Sequence, residues 1–200
     1  SYNSRTLTLT GTVTAIDAYL NTVSNIQYTG AANASGDNAD VLMLTINDNG
    51  NTGGGNLSDS ATINIDITAV DDPPVLTDLN DADFNESDVR DNPQIVDADV
   101  TLSDVDGTDL NGGNVTFSLS AATNFERLNI RNQGNAAGQI GVDGNNITFG
   151  GVVIGSIDPG NDGSNGGNLV ISLNNNATLA AVETLIENLT YNRKEGKTDQ

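Results

Sequence analysis

The chain contains no cysteine and no histidine. Without them there is no disulfide, no thiolate nucleophile, no Ser-His dyad and no zinc site of the usual nitrogen and sulfur ligands. Hard, oxygen-ligated cations are what remains of metal chemistry. The missing disulfides do not imply a reducing compartment, because metal can hold an exported chain together. Tryptophan is also absent, and four Phe and four Tyr are the only aromatics, so platforms for sugar rings are scarce. Seven basic residues stand against 27 acidic ones, a formal net charge of −20; this argues against binding nucleic acid through its phosphates and favours cations. No apolar run approaches the length of a membrane helix and no signal peptide opens the sequence. The expectation is no membrane span, with any export signal outside this stretch.

What the chain has in quantity is 22 glycines together with Asn, Asp, Thr and Ser, which favour turns and strands over long helices. Two hundred residues make one or two domains with a real core. Low hydrophobicity with high charge is also a signature of disorder, but here the apolar residues are periodic. The reading is an all-β protein with many loops.

The stretch ITAVDDPPVL, residues 67 to 76, organises the rest. Two successive prolines remove two backbone donors and hold the residues before them extended. Asp71 and Asp72 therefore open a semi-rigid linker between the segments on either side. Before it, residues 6 to 10 alternate as a strand. Ile16, Tyr19, Leu20, Val23 and Ile26 fall at helical spacing, predicting a short helix at about 15 to 24 capped by Thr14. Residues 30 to 40 read as a polar loop, and 40 to 47 and 59 to 70 as a hairpin around the turn Asp48-Asn49-Gly50. After the joint, strands are expected at 75 to 79, 94 to 103, 114 to 119, 128 to 132, 139 to 142, 146 to 149, 152 to 157 and 169 to 173, with an edge segment at 84 to 87. Residues 104 to 109 form a carboxylate-rich loop, and from Asn176 the spacing turns helical through Leu179, Val182, Ile186 and Leu189.

That last helix repeats the first. A shift of 163 residues (191 − 28) places Tyr191 on Tyr28, Asn188 on Asn25, Leu189 on Ile26, Ile186 on Val23, Val182 on Tyr19 and Leu179 on Ile16. An unbroken register of this kind implies an internal repeat. The chain then holds the last part of one repeat, residues 1 to 72, and the beginning and centre of the next, residues 73 to 200. Neither repeat is complete within it, so residues 38 to 70 of one copy are a candidate to complete a neighbouring copy.

The run DVLMLTINDNG, its glycine-rich tip and SATINIDITAVDDPPVL resemble the final hairpin and linker of cadherin-like repeats found in tandem in giant bacterial surface proteins and adhesins. TLSDVDGTDLNGGNVTFSLS is similar to the Asp-x-Asp loop of the following repeat, and FNES to the Glu-containing segment near a repeat's start. The stretch from 120 to 200, with IRNQGNAAGQIGV and ATLAAVETLIENLTY, resembles only the bacterial repeats. The resemblance implies tandem Ig-like Greek-key β-sandwich repeats, here with one short helix each, stacked end to end with calcium between them. It places Asp71, Asp72, Asp104 and Asp106 at one junction, Glu86 at the next one downstream and Asp48 at the one upstream. The linker departs from the family in reading Asp-Asp-Pro-Pro, and the acidic motif that animal cadherins carry before the final hairpin is missing.

The residues argue for calcium independently. Calcium takes six to eight oxygens in flexible geometry. Asp104-x-Asp106-Gly107 puts two carboxylates on one side of a strand end with glycine permitting the turn, and Asp109 can add a third. Clustered carboxylates repel, and a divalent ion converts that repulsion into cross-linking. Solvated turns carry the same Asp-x-Asp-Gly pattern.

Paired carboxylates also serve glycoside hydrolysis, but scarce aromatics and the lack of a basic partner speak against an enzyme. The glycine-rich stretches at 50 to 55 and 160 to 167 lack the Lys-Ser/Thr of a phosphate loop. Tyr28 and Tyr191 are expected to cap the core after each helix, and Arg127 and Arg131 to pair with nearby carboxylates. The expected function is an extracellular or cell-surface extender repeat, serving adhesion, biofilm or filament and stiffened by calcium at its junctions. Its partners are then neighbouring repeats or other copies of the chain. The alternative is an adhesin module that grips a glycan or protein at the cell surface through loops such as 158 to 168.

Overall fold

A computed structural model describes residues 6 to 51 and 53 to 194. The chain forms two compact units, Ser1–Val70 and Asp71–Gln200. It is built mainly of β-strands in several antiparallel sheets.

In the first unit, α1 spans Val13–Leu20 and the strands β1 (Gly36–Asn47) and β2 (Ser58–Ile67) form a hairpin. The cap of α1 is Thr12, two residues ahead of the Thr14 expected from spacing; its hydroxyl accepts from the amide of Ala15. β1 also starts earlier than expected, because a register shift between Gly36 and Asp40, with Asn38 at φ 54°, lets the hairpin absorb part of the polar loop. Residues 6 to 10 are not a strand. Their alternation supplies two faces, but a strand exists only where a neighbour accepts its hydrogen bonds.

In the second unit, β3 (Val75–Thr77) pairs with β5 (Thr101–Ser103). A single helical turn, α2 (Glu86–Val89), replaces the expected edge segment: Glu86 and Asp88 stand in its first turn, where negative charge suits the helix dipole. The expected strand over 94 to 103 is split. β4 (Gln94–Ile95) joins a three-stranded sheet of order β4-β12-β7, whereas β5 pairs with β3. Between the two pieces Asp97 accepts from the amides of Asn80 and Asp99 and turns the chain away.

The larger sheet has the order β6-β11-β10-β9-β8, from β6 (Asn114–Phe117), β8 (Ile140–Asp143), β9 (Asn146–Phe149), β10 (Val152–Asp162) and β11 (Leu169–Leu173). The smaller adds β7 (Glu126–Ile130) and β12 (Leu189–Arg193). β10 runs five residues past its expected end. Leu189, expected on a helix, opens β12 instead.

After β11 comes α3 (Leu179–Glu187), capped by Thr178. Its Ala181, Val182 and Leu185 join Leu128, Ile140, Ile147, Ile154, Leu169 and Ile171 in one core. The caps of α1 and α3 are 166 residues apart (178 − 12), while the tyrosines are 163 apart. The two copies of the motif are therefore not in unbroken register: α1 is one residue shorter than α3, and four more residues separate its end from the tyrosine.

Candidate metal centre

Asp71 and Asp72 belong to the second unit, as does the loop Asp104–Asp109. The prolines leave the linker extended, and Val75 then pairs with Ser103. This pairing brings the start of the linker beside the loop that follows β5. The amide of Asp72 donates to Asp106 Oδ2 at 3.1 Å. Asp106 in turn donates its own amide to Asp104 Oδ1 (3.2 Å), which also accepts from Gly107 N at 3.0 Å. The Gly107 hydrogen bond, foremost among several, holds the Asp104 carboxyl below its ordinary range. Linker, Asp106 and Asp104 thus form one hydrogen-bonded chain ending in two oxygen-rich side chains.

The other expected ligands are elsewhere in their own local structure. Asp109 accepts from the amide of Asn111 at 3.1 Å and bridges to Thr178. Glu86 pairs with Arg90 at 3.0 Å across one turn of α2. Asp48 lies in the first unit, where its Oδ1 accepts from Gly50 N and Leu57 N, both at 2.9 Å, and closes the hairpin tip. Those bonds, Leu57 first, lower its pKa. Among the described residues no three carboxylates gather closely enough to enclose an ion. Asp104 and Asp106 supply part of a calcium shell, which needs six to eight oxygens.

A second acidic group escaped the sequence reading. Asn80 donates to both Asp97 (2.7 Å) and Asp99 (2.8 Å), and Glu187 is pushed above its ordinary range, first by burial and then by Glu183, Asp99 and Asp97. Glu183 accepts from the amide of Leu102 at 2.7 Å, tying α3 to β5. The signal was legible: Asp97-x-Asp99 repeats the spacing of Asp104-x-Asp106, and Glu183 and Glu187 are one helical turn apart.

Arg127 and Arg131 make their hydrogen bonds to side-chain amides and backbone carbonyls. Arg127 donates to Asn124 O, Glu126 O and Asn165 Oδ1, and Arg131 donates to Asn188 Oδ1 at 2.8 Å. Arg131 lines an open groove of about 530 Å³ with Gln94, Ile95, Asn129 and Thr190, on the three-stranded sheet. The loop expected to grip a ligand is shorter than 158 to 168, since Asp158 to Asp162 continue β10. Tyr191 packs on the core and stacks on Phe84 at 6.3 Å. Tyr28 does not cap a core: the residue is 46 % exposed and its hydroxyl donates to Asp40 Oδ2 at 3.0 Å.

No protein-family model, curated protein or solved structure matches the chain. No helix among the described residues is long and apolar enough to cross a membrane.

Proposed function

We propose that the chain is a non-catalytic structural segment of a large extracellular or cell-surface protein, built from tandem cadherin-like repeats of Greek-key sandwich type and stiffened by calcium at its junctions. The observation that carries the reading is the hydrogen bond from the amide of Asp72 to Asp106. Through it the proline-stiffened linker and the Asp-x-Asp-Gly loop share one local structure. Asp104 and Asp106 would hold the ion, with Asp71 and Asp72 beside them, and water or another repeat would complete the shell. Bound calcium would neutralise carboxylates that repel one another and lock the linker to the loop.

Calcium titration with chelator reversal, followed by melting temperature and small-angle scattering, tests this. The expected result is a rise in melting temperature and a change in maximum dimension, both reversed by chelator. No effect of calcium on either quantity overturns the metal assignment. Asp104→Ala and Asp106→Ala should each weaken calcium binding in titration calorimetry while leaving the far-UV circular dichroism unchanged; wild-type affinity in both counts against the assignment.

The groove on the three-stranded sheet favours a second reading, an adhesin module that binds a glycan or protein. An NMR titration with glycans separates the two, because a binding module would show shifts at Gln94, Asn129 and Arg131 and a spacer none. A parent chain carrying near-identical repeats of this segment would favour the spacer.

A further inference from the structure

With 27 acidic residues against 7 basic ones, a cation left without a carboxylate stands out in this chain. Arg90 pairs with Glu86 at 3.0 Å and Arg193 approaches Glu126 at 3.9 Å. Arg131 has no carboxylate within ion-pair distance among the described residues. What it has is a fixed position. Its Nε donates to Oδ1 of Asn188, a residue only 2 % exposed, and Asn188 Nδ2 donates to Thr184 O of α3 at 2.7 Å. That second bond sets which end of the buried amide faces the arginine. The guanidinium is therefore held through Nε, while its two terminal nitrogens make no hydrogen bond to the described residues and the side chain lines the groove of the three-stranded sheet.

The groove, about 530 Å³, falls within the range of roughly 300–1,000 Å³ that small-ligand sites occupy. Pro93, Ile95 and Ile130 give it an apolar strip, and Gln94 and Asn129 add neutral amides. Gln94 Nε2 donates to Asp88 O at 3.1 Å and Asn129 Nδ2 reaches Asn192 Oδ1 at 3.5 Å. Both amides thus keep a side-chain carbonyl able to accept from a ligand hydroxyl. The groove is built on strands, which hold its groups more exactly than loops do. A peptide strand cannot add at Thr190, because β12 is bonded there to Ile95 on one side and to Asn129 on the other.

We propose that this groove binds a saccharide bearing a carboxylate, a uronic acid unit whose carboxylate meets the Arg131 guanidinium and whose hydroxyls donate to Gln94 and Asn129. The inference rests on the second reading above, in which the groove is the site of an adhesin module, and adds the class of its ligand. A guanidinium offers a carboxylate paired N–H groups in a fixed fork, and the apolar strip suits the C–H face of a sugar ring. The net charge of −20 repels a polyanion, so selection depends on the close contact at Arg131 and a short oligomer is the right probe.

The test is a heteronuclear NMR titration of the 200-residue chain in buffer freed of calcium on a chelating resin, so that no ion bridges the sugar to the protein's own carboxylates. The probes are trigalacturonate, galactotriose as its neutral counterpart and triglutamate as an acidic peptide. Trigalacturonate should shift the amides of Gln94, Asn129 and Arg131 and bind about tenfold or more tightly than galactotriose. Arg131→Gln should bring trigalacturonate down to the affinity of galactotriose, and Arg131→Lys, which keeps the charge and loses the fork, should retain only part of the preference. Equal wild-type affinity for the two sugars overturns the acidic ligand and leaves the binding-module reading standing; no shift at these residues with either sugar overturns both. Triglutamate binding as tightly as trigalacturonate overturns the saccharide, and an unchanged trigalacturonate affinity in Arg131→Gln overturns the role of the arginine.

Discussion

Asp104 is held over Gly107, where a side chain would otherwise stand. A Cβ on Gly107 would lie 2.7 Å from Asp104 Oδ2, closer than two such atoms approach. Gly107→Ala should push the carboxylate off the amides of Asp106 and Gly107, lowering both the melting temperature and calcium affinity, as calorimetry would record. Glu187 offers a test of opposite sign. Its carboxyl is raised by burial and by Glu183, Asp99 and Asp97, so the folded chain binds that proton more tightly than the unfolded one. Ionised Glu187 therefore weakens the fold at neutral pH, and the penalty fades as pH falls through the raised value. Glu187→Gln should melt higher than wild type at pH 7, with the difference gone by about pH 3.5, below the ordinary carboxylate value. For Asp104 the shift is downward, so its contribution is present above the ordinary value and is lost as pH falls below it.

The two helices show how one pattern serves two environments. Both begin at a Thr whose hydroxyl accepts from the third residue on, and both carry apolar residues at helical spacing. α3 buries Ala181, Val182 and Leu185, while α1 buries none of its residues. Leu185→Ala should therefore destabilise by about 2–5 kcal/mol in urea denaturation. Val13→Ala, at a residue 86 % exposed, should change stability by no more than about 0.5 kcal/mol.

For the chain as a whole, every buried hydrophobic residue among those described lies between Val89 and Leu185. Cooperative thermal unfolding should accordingly report the second unit. Hydrogen exchange should find β7, β10, β11 and α3 the slowest to exchange and β1 and β2 fast at low protein concentration.

Strand alternation, turn residues and helical spacing were enough to read an all-β chain with a helix at about 15 to 24 and another from Asn176 onward, which form at Val13–Leu20 and Leu179–Glu187, because those signals are local. β9 and β11 coincide with their expected ranges, since each is an apolar alternation bounded by Gly or Asn. The split of 94 to 103, the conversion of 84 to 87 to a helical turn and the loss of 6 to 10 as a strand were decided by partners distant in sequence. The same holds for the site. Asp104, Asp106 and Gly107 were legible from a four-residue pattern, and their link to Asp72 comes from β3 pairing with β5. Asp109 accepts from Asn111, Glu86 pairs with Arg90 and Asp48 closes the hairpin tip, local partners that a spacing pattern does not name. Composition and periodicity determined the class of structure and the oxygen-only chemistry; which carboxylates meet, and which apolar faces are covered, depends on pairings that only the folded chain makes.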